Sequence, residues 1–95
     1  MADFILFMHG DASEPVGDWD PYLQTLRASG RFQGGSAIGD GVCARKAGAA
    51  AATSDQLTGF IRVEADGLEH VRSFLTGNPV YEAGGTVEIR ELPKG

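Results

Sequence analysis

His9, Gly10 and Asp11 place an imidazole and a carboxylate two residues apart, where the apolar run Phe4-Ile5-Leu6-Phe7-Met8 ends. On a continuing strand the two side chains share a face, and a carboxylate that orients an imidazole makes a general base. The competing reading is a polar strand end in which Asp11 starts a turn. Tyr22 and Trp19 offer aromatic bodies with polar tips, suited to the mouth of a ligand pocket or to ordinary helix packing. Arg62, Glu64, Glu88 and Arg90 alternate with apolar residues on two later segments. Inside a closed assembly such charges must pair, with the two arginines lining a ligand pocket; at a surface they form weak cross-strand pairs. Cys43 is followed by Ala44, Arg45 and Lys46, whose charges favour a thiolate, but no histidine stands near it in sequence.

Other chemistries find no motif. His9, His70 and Cys43 follow no metal-ligand spacing, so neither a metal nor a cofactor is expected. Gly34-Gly35 and Gly39-Asp40-Gly41 lack the Lys-Ser/Thr and the helix of a phosphate loop. Nothing resembles a nucleophile elbow.

The elements that must position these residues follow from periodicity. Residues 3–9 read as a strand with Phe4, Leu6 and Met8 on one face and Ile5, Phe7 and His9 on the other. A polar loop with Pro15 and Gly17 spans 10–19. Asp20-Pro21 opens a helix over about 21–29, Asp20 as N-cap and Pro21 in the first turn, closed by Gly30. Residues 31–38 form a second strand weakened by Gly34-Gly35. Residues 39–53 read as a flexible loop. Residues 59–65 alternate, with Ile61, Val63 and Ala65 opposite Phe60, Arg62 and Glu64. Asp66 and Glu69 form a near capping box before a helix carrying Leu68, Val71 and Leu75, which Gly77-Asn78-Pro79 stops. Residues 86–92 are the last strand, with Val87 and Ile89 opposite Glu88 and Arg90.

This order, β-α-β-β-α-β, predicts one α+β domain over 1–95, a ferredoxin-like four-stranded antiparallel sheet with two helices on one face. Two helices cover one face only. Ile5 and Phe7 then need a second cover, and a second copy in a two-fold dimer is the simplest one. The chain has 95 residues and a net charge of −5, which argues against a nucleic-acid partner. The first apolar run is far short of a membrane span, and Asp3 stands where a signal peptide needs a basic residue, so no membrane association and a cytoplasmic location are expected.

Four stretches resemble the YCII-related family, in its DGPF-type branch: Phe-Ile-Leu-Phe-Met-His-Gly-Asp (4–11), Tyr-Leu-Gln-Thr-Leu-Arg-Ala-Ser-Gly-Arg-Phe-Gln-Gly-Gly (22–35), Thr-Ser-Asp-Gln-Leu-Thr-Gly-Phe (53–60) and Gly-Gly-Thr-Val-Glu-Ile-Arg-Glu-Leu (84–92). The resemblance implies a dimeric α+β barrel of two ferredoxin-like protomers with their sheets face to face. It also implies a helix histidine working with an aspartate. The matching helix position here is Tyr22, and Asp40 stands near the aspartate's place. Ala-Gly-Ala-Ala occupies about 47–50, where the family's Asp-Gly-Pro-Phe would fall. The resulting expectation is a homodimer of no established reaction that binds a small molecule in a cavity near the dimer seam. The alternative is an enzyme using His9 and Asp11, with Tyr22 and Asp40 as further candidates, in proton transfer or lyase-type chemistry without a metal.

Overall fold

The computed structural model describes residues 1–54 and 56–94; Asp55, within the 53–60 stretch quoted above, and Gly95 lie outside the described residues. The elements in chain order are β1 (Ala2–His9), α1 (Asp20–Ala28), β2 (Phe32–Ala37), β3 (Leu57–Ala65), α2 (Leu68–Arg72), a 3-10 turn (Ser73–Leu75), α3 (Pro79–Glu82) and β4 (Val87–Leu92). The strands form one antiparallel sheet in the order β2-β3-β1-β4, the ferredoxin-like arrangement.

Alternation decides which way each strand faces. Phe4, Leu6 and Met8 on β1 and Ile61, Val63 and Ala65 on β3 are buried, and Tyr22 and Leu26 from α1, Val71 from α2 and Val80 from α3 complete the core on that face. Fully burying a side chain of this kind stabilises by about 1.5–3 kcal/mol, so the inner face anchors the fold. The opposite face carries Ile5, Phe7 and Phe60, all half-buried, between Arg62, Glu64, Glu88 and Arg90. Register aligns these into rows: Phe60, Phe7 and Glu88 lie side by side across β3, β1 and β4, and so do Arg62, Ile5 and Arg90. No described helix packs on this face.

The helix layer differs from the sequence reading in three places. Asp20 is the first helical residue of α1 and not its cap; Asp18 accepts from the Asp20 amide (3.1 Å), fixing the turn one residue earlier. Asp66 does not cap α2. Its amide donates to His70 Nδ1 (3.0 Å), and Gly67 holds the N-cap position without a side-chain bond. The expected single helix after Leu68 breaks into α2 and the 3-10 turn, and Pro79 begins α3 instead of ending the layer. Asn78 is the reason: its Oδ1 accepts from the amides of Val80 (3.0 Å) and Tyr81 (3.1 Å), while Pro79 needs no amide partner in the first turn. The third helix adds to the two expected and packs on the same face.

Residues 38–54 contain no helix or strand, as the loop reading expects. Among the described residues no helix is long and apolar enough to cross a membrane.

Candidate functional site

β1 ends at His9 because its register against β3 slips between Met8 and His9, and the Gly10 amide turns away to the Gln56 carbonyl (2.6 Å). The slip is a bulge, a local break that re-aims the side chains beside it. His9 stays on the open face. Its Nε2 lies 3.0 Å from Glu88 Oε1, and Arg90 Nε donates to the other carboxylate oxygen at 2.9 Å. Arg90, Glu88 and His9 thus form one chain of charge-assisted contacts. The Glu88 carboxyl is held below its usual 4.5, first by the Arg90 guanidinium and then by His9. At neutral pH Glu88 is therefore an ionised, acceptor-only group, so His9 Nε2 must be the donating nitrogen. In the neutral ring that leaves Nδ1 as the basic nitrogen, and among the described residues it has no hydrogen-bond partner.

Asp11 does not join this chain. Once β1 has ended, the two-residue spacing no longer puts His9 and Asp11 on a common face. The Asp11 carboxylate instead accepts from the Thr86 hydroxyl (2.6 Å) and the Thr86 amide (2.7 Å), which hold its carboxyl below the usual 3.8. It ties the 10–19 loop to the start of β4. Tyr22 is buried, and its hydroxyl donates to the Phe74 carbonyl at 2.7 Å; burial pushes the phenol pKa up. Asp40 is exposed in the 38–54 stretch. Arg62 lies on the open face, exposed, and donates to the Gln33 carbonyl (2.9 Å). Cys43 is exposed. Of the residues singled out in the sequence, the structure brings His9, Glu88 and Arg90 together. Asp11, Tyr22 and Asp40 stand elsewhere.

His9 is among the residues lining two hollows, one on each side of the sheet, and its ring lies at the one on the open face. One, of about 310 Å³, lies on the open face between Phe7, His9, Leu57, Glu88 and Arg90. The other, of about 740 Å³, lies between α1, the 10–19 loop and the β2–β3 half of the sheet. Met8, Trp19, Leu23, Phe32 and Ile61 give it an apolar lining, Arg27 and Glu14 its charges, and Gly35 and Gly59 bare backbone between the side chains of its floor. Its size is that of a small-molecule site. Trp19 lines it, as the aromatic pattern allowed, while packing edge-on against Tyr22 with ring centres 5.7 Å apart. Arg62 and Arg90 do not line it; Arg90 borders the smaller hollow.

The sequence marks Glu88 only as one of four strand charges and not as the partner of His9, and it does not single out Thr86 or Arg27. Alternation put Glu88 and His9 on strand faces, but only the register of β1 against β4 makes them neighbours. Thr86 and Arg27 carried no signal.

Comparison with known proteins bears on the whole chain. The YCII-related domain family model matches residues 18–93, most of the chain, beginning after His9 and Asp11. No curated protein matches. Among solved structures the chain is similar to 5-chloro-2-hydroxyhydroquinone dehydrochlorinase (TftG) from Burkholderia phenoliruptrix AC1100, in complex with 2,5-dihydroxybenzoquinone. The identity is 20%, the match covers 98% of this chain and 95% of that one, and the TM-score is 0.55. That likeness is one of fold.

Proposed function

The chain belongs to the YCII-related domain family, and from that premise we propose that it is a homodimer which holds a small organic molecule in the hollow on the open face and uses His9, which lines it, as the base of a proton transfer. The observation that carries this reading is the 3.0 Å contact between His9 Nε2 and a Glu88 carboxylate fixed on its far side by Arg90. A carboxylate that receives Nε2–H settles the tautomer, steadies the ring and stabilises the imidazolium formed when Nδ1 takes a proton. The reaction class is abstraction of an acidic C–H or O–H proton, with return of that proton or loss of a leaving group on the neighbouring carbon. The His9 ring lies on the open face, with Phe7, Glu88 and Arg90 around the smaller hollow, the face that the proposed partner covers.

The dimer is the second part of the proposal. Ile5, Phe7 and Phe60 form an apolar seam flanked by arginines and glutamates on the open face. A two-fold partner laid face to face covers that seam and can set positive groups against negative ones. The resulting pair of sheets is the barrel that the family resemblance implies.

A panel of small carbonyl acids, incubated with the protein in D₂O and followed by proton NMR, tests the chemistry. The wild-type chain should exchange the α-protons of at least one compound, and His9→Ala should lower the rate by about 10²–10⁴-fold, the usual contribution of a positioned base. Glu88→Gln should lie between the two. A His9→Ala rate equal to wild type removes His9 from the chemistry. A second reading, a module that only holds its ligand, is favoured by the apolar lining of the larger hollow; saturable binding with no exchange across the panel would select it.

A further inference from the structure

The larger hollow exists because the helix layer is too small for the sheet. α2 has five residues and α3 has four, and α1 leans over β2 and β3 without filling the space beneath it. Under that overhang the inner face of the sheet is carried by Gly35 and Ala37 on β2 and by Gly59 on β3, with Gly35 opposite Ile61 and Ala37 opposite Gly59. Close backbone approach imposes at least one of these glycines: a Cβ on Gly35 would stand 2.5 Å from the Phe60 carbonyl oxygen. At Gly35, Ala37 and Gly59 the floor is made of peptide planes and one methyl group, with the Ile61 and Met8 side chains beside it. Phe32 and Trp19 supply rings at its edges.

One cation belongs to this space. Arg27 lines the hollow with its guanidinium 5.5 Å from the centre of the Phe32 ring, and among the described residues it makes no ion pair. A guanidinium beside an aromatic wall is a forked donor for a carboxylate whose own ring stacks on that wall. Glu14 also lines the hollow and opposes a second negative charge.

We infer that this hollow takes a planar aromatic acid of one or two rings and a single negative charge, its ring lying over the Gly35–Gly59 floor beside Trp19 and Phe32 and its carboxylate on Arg27. The inference rests on the second reading above, in which the larger hollow holds a ligand, and adds the ligand class. A flat ring matches the exposed peptide surface of Gly35 and Gly59, with the Ile61 and Met8 side chains at its edge. A puckered ring of equal charge loses that contact, and a neutral flat ring loses Arg27.

Trp19 is the chain's one tryptophan, so its indole N–H is a unique reporter in ¹H–¹⁵N spectra. The probes are 2-naphthoate and benzoate, with cyclohexanecarboxylate as the puckered anion and 2-naphthalenemethanol as the flat neutral molecule. The full chain should show saturable shifts at the Trp19 indole and at the Gly35 and Gly59 amides with the aromatic acids, and weaker binding of both comparison compounds. Arg27→Gln, an exposed helix change, should weaken 2-naphthoate about tenfold, the scale of a lost charge-assisted hydrogen bond, and leave 2-naphthalenemethanol unchanged. Absence of saturable shifts with either aromatic acid overturns the inference, and so do equal affinity for cyclohexanecarboxylate or an Arg27→Gln chain that binds 2-naphthoate as wild type does. His9→Ala separates this from the functional proposal. Lost exchange with intact 2-naphthoate binding is the result expected if both hold. Exchange on non-aromatic compounds without 2-naphthoate binding would overturn the ligand class and leave the base assignment standing.

Discussion

Phe7→Ala tests the proposed dimer at its centre. Phe7 lies on the open face between Phe60 and Glu88, half-buried by its own sheet, with no described helix over it. The part of the ring still open to water is at most about a third of the ~200 Å² that such a side chain can bury. At ~25 cal/mol per Å² this is worth about 1.5 kcal/mol to an interface. A two-fold axis applies the loss twice, giving about 3 kcal/mol per dimer and a dissociation constant raised about a hundredfold. Sedimentation equilibrium at several loading concentrations reads this directly. The wild-type chain should run at twice the chain mass and the variant should shift towards monomer on dilution. Far-UV circular dichroism should be unchanged, because Phe4, Leu6 and Met8 hold the core from the other face. A wild-type chain that is monomeric at every concentration, or a variant with an unchanged association constant, would refute the reasoning that the apolar seam is covered by a second copy.

The other expectations concern stability. Asp11 is held ionised by Thr86, so its folded pKa lies below 3.8; its contribution is complete above that value and fades as pH falls through the lowered one. Asp11→Asn should melt below wild type at neutral pH, with the gap narrowing on the acid side of 3.8; a gap constant with pH in a melting series would contradict the assignment. Asn78 is fully buried and caps α3 with two accepted amide bonds. Asn78→Ala should cost about 1.5 kcal/mol and lower the melting temperature by roughly 6–12 °C, and a shift under about one degree would show that the cap does not matter.

What was legible in the sequence, and what was not, divides along the range of the interactions. Strand faces are local, so the two sides of β1, β3 and β4 could be read from Phe4-Leu6-Met8, Ile61-Val63-Ala65 and the Glu88/Arg90 alternation, and the order of elements gave the ferredoxin-like sheet. Register is not local. The meeting of His9 with Glu88 depends on β1 pairing with β4 across 79 positions of chain, and no spacing encodes it. Two-residue spacing suggests a His9–Asp11 pair, but the Asp11 carboxylate is taken by the Thr86 amide and hydroxyl and the His9 ring by Glu88. Capping was misjudged where a residue had two uses. Pro79 can stop one helix or open another, and the buried Asn78 before it decides for the second. Trp19 marks the mouth of the larger hollow in the sequence and lines it in the structure, but the extent of that space, left open by the short α2 and α3, has no sequence signal.

These features converge on one corner of the sheet for a physical reason. β1 is central, paired on both sides, and its end is where the sheet loses register and both faces open: the inner one because the helix layer is short, the outer one because no described helix lies over it. His9 stands at that point, and its ring turns to the hollow on the outer face. Its partner Glu88 and the anchoring Arg90 lie on the outer face, the face a second copy would cover. In the proposed dimer that covering excludes water from the Arg90–Glu88–His9 chain, and charge-assisted contacts strengthen as the surrounding dielectric falls. Association would then tune the base as well as shield the apolar seam. Loss of the dimer through Phe7→Ala would slow proton exchange even though Phe7 carries no proton of its own.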